Sequence, residues 1–258
     1  MKPPARRSGQ PLQFGFLPSP PPLPRIVARA MACCALAQRV EVEPPAGEPL
    51  DAPTLQGTDE LLQLSRDWLA GHAMDAELST AERAALAAAT GTLDAAARER
   101  FADAGEGAAV IAWALRCADL PSFDADADAA AIAASLGWLA EAGTTLGSRA
   151  RLRSRDELGA ALDAIGAVHW RLRARTAPAA DAGTVSMARW QPDRFAWPEG
   201  MTPLALASDG DLALDGGPIA AASPQQLLAG LRRLRARHRA ILWLLGQQRD
   251  WDAIELSL

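Results

Sequence analysis

Two histidines are the residues of this sequence best suited to acid–base or metal chemistry. His169 sits on an apolar helical stripe with Leu158, Leu162, Ile165 and Leu172, and His238 on another with Leu227, Leu231, Leu234, Ile241 and Leu245. If those two helices pack together the imidazoles meet, and with Asp163 or Asp252 they would make a metal or acid–base site. Two histidines do not complete a zinc sphere without carboxylates, and a stripe histidine also serves as a core residue bonded to a backbone carbonyl. Arg171 and Arg239 stand next in the chain as anion contacts. Arg232, Arg233, Arg235, Arg237 and Arg239 crowd the final helix, with no acid between Asp215 and Asp250. Such a face could hold a phosphate or an acidic protein surface, or be neutralised by acids elsewhere in the chain. Trp243 and Trp251 flank the end of that helix and suit packing anchors better than a ligand cage. The candidate binding set is therefore His169, Arg171, His238, Arg239, Trp243 and Trp251. No catalytic residue, metal ligand or cofactor is assigned.

Composition removes other chemistry. Of 26 basic residues in 258 only Lys2 is a lysine, so an interior Schiff-base lysine, a P-loop and a Ser–Lys dyad are excluded. Tyrosine is absent, which removes a phenolic acid or base. No Gly-x-Ser-x-Gly elbow, Cys-x-x-Cys pair or His-Glu-x-x-His helix occurs. Asp124, Asp126 and Asp128 imitate the opening of a calcium loop, but Ala129 stands where its glycine belongs and Ser135 where its glutamate belongs. Those carboxylates are better explained as leading into a helix N-terminus. Gly105-x-Gly107 lacks the third glycine and preceding strand of a dinucleotide turn.

The net charge of −5 is unevenly spread: +6 over residues 1–39, −14 over 40–142 and +3 over 143–258. An acidic half packing beside a basic half accounts for this, and the acidic total argues against nucleic acid as a partner. Cys33 and Cys34 are adjacent and Cys117 is isolated, so no disulfide framework is expected. No stretch approaches the roughly 18 apolar residues of a membrane span. The proline run Pro18 to Pro24 breaks the place where a signal peptide needs its apolar core. A cytoplasmic location fits these features.

The elements that must position these residues are mostly helices. Residues 1–23 read as a disordered, Pro-rich basic tail, 24–252 as one compact multi-helix domain, and 253–258 as a short tail. A helix is expected from Pro24 to Arg39. Thr58 or Asp59 is expected to cap a second, Ser79 with Glu82 a third, and Thr92 a fourth running to about 103. Residues 106–118 are apolar nearly all round, which marks a central buried helix. Another helix is expected over about 128–142, and one capped by Ser154 with Glu157 running to about 175. Leu204–Leu206 and Leu212–Leu214 around Ser208-Asp209-Gly210 read as a β-hairpin near residues 204–219. Ser223, Pro224 and Gln226 open the last helix and Gly246 ends it. The fold class is mainly α with one small β-hairpin.

Four segments then resemble the bacterial domain of unknown function 4272 family. They are Glu106 to Pro121 with its Trp113-Ala114-Leu115, the pair Leu152-Arg153-Ser154 and His169-Trp170-Arg171-Leu172, the run Asp211 to Ile219, and Arg237 to Gly246 followed by Asp250-Trp251-Asp252. The resemblance covers about residues 24–252. It departs at Asp103-Ala104, where the family has Trp-Arg, and at Leu242, where it has a polar residue. The resemblance implies a mainly helical fold and brings no activity with it. The expected function is a non-catalytic helical domain that binds a protein or acts as an accessory or immunity-type protein. The competing expectation is a small-ligand or metal-dependent enzyme with its site at His169 and His238.

Overall fold

The computed structural model describes residues 19–45, 48, 50–176 and 212–254. Helix α1 (Leu23–Glu41) has Pro24 in its first turn, where a missing N–H costs nothing, and it is almost wholly buried from Ile26 to Leu36. Helix α2 (Ala52–Gly71) begins about two turns before the expected Thr58. Its cap is Asp51, whose carboxylate accepts the Thr54 N–H at 2.8 Å, with Pro53 in the first turn. Residues 52–57 are exposed on every face, so no apolar stripe announces those turns.

Helix α3 (Thr80–Ala87) carries the expected box between Ser79 and Glu82, and α4 (Ala95–Phe101) is capped by Asp94 rather than Thr92. The Thr92 hydroxyl instead bonds back to the Ala89 carbonyl at 2.7 Å. Helix α5 (Ala104–Ala114) is the centre of the molecule, with every residue from Gly105 to Ala114 buried. Helices α1, α6 (Ala129–Leu136) and α10 (Pro224–Leu244) pack around it, and α9 (Arg155–Thr176) lies along α10. The alanines of α5 explain this centrality, because small side chains let three neighbours approach one helix.

Helix α6, capped by Asp128, stops at Gly137 instead of running to 142. Gly137 has φ +77°, and a Cβ there would lie 2.5 Å from the Gly143 nitrogen, so both conformation and space demand glycine. Short helices α7 (Glu141–Thr144) and α8 (Leu146–Arg149) follow. Glu157 closes the box on α9 by accepting the Ser154 N–H at 2.6 Å.

The hairpin pairs β1 (Ala213–Leu214) with β2 (Gly217–Pro218) across Asp215-Gly216, both at positive φ. That is the Asp-Gly turn that tight hairpins favour. The expected arm Leu204–Leu206 and its Ser208-Asp209-Gly210 turn lie outside the described residues. Helix α10 opens as its sequence signals and ends before Gly246, where a Cβ would strike the Ser19 carbonyl. Ile254, in the stretch read as a tail, is buried. Among the described residues no helix is long and apolar enough to cross a membrane.

Candidate functional site

The packing of α9 on α10 brings His169 and His238 together, with Nδ1 to Nδ1 3.1 Å and the rings perpendicular. Both side chains are buried. One nitrogen must donate and the other accept, so the bond needs at least one neutral ring in the tautomer that leaves Nδ1 bare. Burial first, then the neighbouring His238, Arg173 and Arg235, push the His169 pKa down to about 4, and burial lowers that of His238. The carboxylates that would turn the pair into a metal site are elsewhere. Asp252 takes Arg100 at 3.1 Å, and Asp163 is exposed on α9. Among the described residues no three His, Cys, Asp or Glu side chains gather as a metal cluster. Arg171 lies half-buried on α9 and does not line the cleft described next.

The five arginines of α10 divide by helical phase. Arg233 and Arg237, one turn apart, face inward. Arg237 is fully buried: its Nε donates to Glu106 at 2.7 Å, and its other nitrogens donate to the carbonyls of Pro121, Ser122 and Ala125. Arg233 donates to Asp126 at 2.7 Å and to the Phe123 carbonyl at 3.2 Å. Glu106 also accepts the Ala127 N–H at 2.8 Å. These bonds hold the 121–127 loop, so the stretch that imitates a calcium-loop opening is a clamp on two guanidinium groups. Asp128 caps α6 and Asp124 accepts from the Ser122 hydroxyl.

Arg232, Arg235 and Arg239 instead wall a cleft of about 500 Å³ bounded by α1, α4, α5 and the Trp251 segment. Leu36, Phe101 and Trp251 give it apolar lining, with Cys33 at its α1 side. Two of its other charges are already engaged. Arg29, nearly 99% buried, grips Glu82 through two bonds of 2.9 and 2.6 Å and lies over the Trp251 ring at 4.8 Å. Arg100 pairs with Asp252.

Arg239 is in a different state. Its Nε is buried without a hydrogen-bond partner among the described residues, and burial, then repulsion from Arg235, lowers its pKa. Among the described residues three buried side-chain nitrogens lack a partner, and two of them, on Arg29 and Arg239, belong to residues lining this cleft. The third is on Trp243, which is wholly buried and packs edge-on against Trp251 at 5.6 Å. A second hollow of about 590 Å³ offers less, since its Arg25 is bonded to Glu77 and its Arg83 to the Asp75 carbonyl.

The structure thus splits the sequence-derived set. His169 and His238 meet in the interior, Arg239 and Trp251 meet at the cleft, Trp243 is a core anchor, and Arg171 joins neither. Sequence reading missed Glu106 as the acid that fixes α10, and missed Arg29, Arg100 and Phe101 as cleft residues. Glu106 carried a signal: it is the one charge inside the 106–115 apolar run, where a buried carboxylate requires a cation. The others gave none, because three helices distant in sequence meet only on folding.

Neither a curated protein nor a solved structure matches the chain. The family described as Domain of unknown function (DUF4272) matches residues 20–187, well over half of the chain. That stretch contains α1 to α9, including the Glu106–Pro121 and His169–Leu172 segments; the hairpin and α10 lie beyond it. On that match, the chain belongs to the domain of unknown function 4272 family.

Proposed function

We propose that this chain is a non-catalytic helical domain of the accessory type that binds a protein partner. The observation that carries the reading is the cleft on α10, where Arg239 is partly desolvated beside Arg235 with its Nε unpartnered. A cation held that way gains most from a ligand that brings negative charge. The state of the histidines supports the same reading, because each Nδ1 is occupied by the other ring. The three free cysteines are compatible with a reducing compartment such as the cytoplasm.

Native mass spectrometry of protein purified gently from its own host tests the proposal. A stoichiometric second protein is the expected result. A retained metal ion or organic cofactor without a protein would overturn it, as would a bare monomer at every concentration tried. One observation favours a second reading, the convergence of two imidazoles at 3.1 Å. On that reading a bound metal mass would disappear in His169→Gln and His238→Gln while the fold persisted.

A further inference from the structure

The geometry points to an acidic peptide segment of the partner as the occupant of the arginine cleft, an inference that rests on the binding-domain reading and names the chemistry recognised. Arg232, Arg235 and Arg239 are spaced three and four residues apart on α10. At 1.5 Å rise per residue the row is about 10 Å long. A lone carboxylate or phosphate cannot engage both ends of such a row. Carboxylates on alternate residues of an extended chain, about 7 Å apart, fall within it.

The rest of the cleft fits the same occupant. The half-buried Trp251, backed by the buried Leu36 and Phe101, offers an apolar surface beside the arginines, suited to an apolar side chain next to the acids. Glu99 and Asp103 line the cleft from the α4 side, Asp103 within electrostatic reach of Arg232, and would repel a carboxylate placed there, which confines an acidic chain to the α10 wall and favours its Arg235–Arg239 end. Arg239 lines that wall with its Nε buried and unpartnered among the described residues, and a carboxylate placed against its guanidinium would relieve both the cost of burial and the repulsion from Arg235.

Isothermal titration of the full chain with a synthetic peptide of alternating glutamates around one phenylalanine tests this. Its glutamine counterpart, and inorganic phosphate, serve as the comparison ligands. The glutamate peptide is expected to bind, to weaken about tenfold in Arg239→Gln and in Arg235→Gln, and to weaken with added salt. Arg175→Gln, on the exposed end of α9, should leave the affinity unchanged. Because Arg235 is exposed, its replacement keeps the fold and the test survives if Arg239→Gln does not fold. Absence of binding, equal binding of the glutamine peptide, or indifference to Arg235→Gln overturns the inference. Phosphate binding as tightly as the peptide overturns the peptide as the ligand. A second protein found by mass spectrometry alongside a negative titration would sink the inference and leave the binding reading standing.

Discussion

Five arginines share eight consecutive positions of α10, yet two have become structure and three have not. Arg233 and Arg237 are one turn apart and turn toward α5 and the 121–127 loop, where Glu106, Asp126 and four carbonyls take up their donors. Arg232, Arg235 and Arg239 lie on the other phase and front a cleft in which the nearest carboxylates are spent on other arginines or stand opposite. Residue type and local spacing are the same on both sides. The difference is set by what the rest of the fold brings up to each face. A buried guanidinium with a full set of acceptors is a structural part, and one with a bare nitrogen beside another cation is a place for a ligand.

The sharpest way to break that comparison is Glu106→Gln. It leaves Arg237 charged, fully buried and without its counter-ion, and should lower stability in chemical denaturation by about 3–5 kcal/mol. A loss below 1 kcal/mol would mean that the carbonyls alone hold the inner arginines, and the contrast between the faces would lose its basis.

Between the two extremes lies the histidine pair, on the α9 side of the same helix. His238→Gln or His169→Gln should cost about 1–3 kcal/mol through the lost buried bond. Their pH signature is specific. The unfolded chain takes up protons at its histidines as pH falls through about 6.5, whereas folded His169 resists until about 4. Folded stability is therefore fully present above that window and falls as pH drops across it. Denaturation midpoints measured from pH 7 to 4 should show the decline, and His169→Gln should flatten it.

A second titration separates this effect from carboxylates. Glu157, lowered to about 2 chiefly by the Ser154 N–H and aided by Arg153 and Arg116, contributes stability that is present above about 4.5 and lost as pH falls toward 2. Glu157→Gln should shrink that lower limb, to which Glu43 and Asp51 also contribute, and leave the histidine limb intact.

The smallest effect belongs to the cleft face. Arg235→Gln should change stability by no more than about 0.5 kcal/mol in either direction, because an exposed cation without a hydrogen bond or ion pair among the described residues holds little together. A loss comparable with that of Glu106→Gln would place both phases of the helix in the structure and remove the reason to treat the cleft as a binding surface.

Local signals in the chain were sufficient for the helices. The capping boxes at Ser79, Ser154 and Ser223, the apolar run of α5 and the stop at Gly246 all lie within a few residues of the events they control, so the sequence alone determined a mainly helical fold and its last helix to the residue. Where an element has no apolar stripe, as in the exposed first turns of α2, or where one glycine in a tight approach overrides a helical pattern, as at Gly137, its bounds were not legible. The two histidine stripes showed that both imidazoles face inward, but the choice between a carbonyl, a carboxylate and each other depends on how α9 and α10 register, which is a matter of packing. The division of the arginines belongs wholly to the tertiary structure. Periodicity separates 233 and 237 from 232, 235 and 239, but only folding brings Glu106 from α5 to one face and a half-empty cleft to the other.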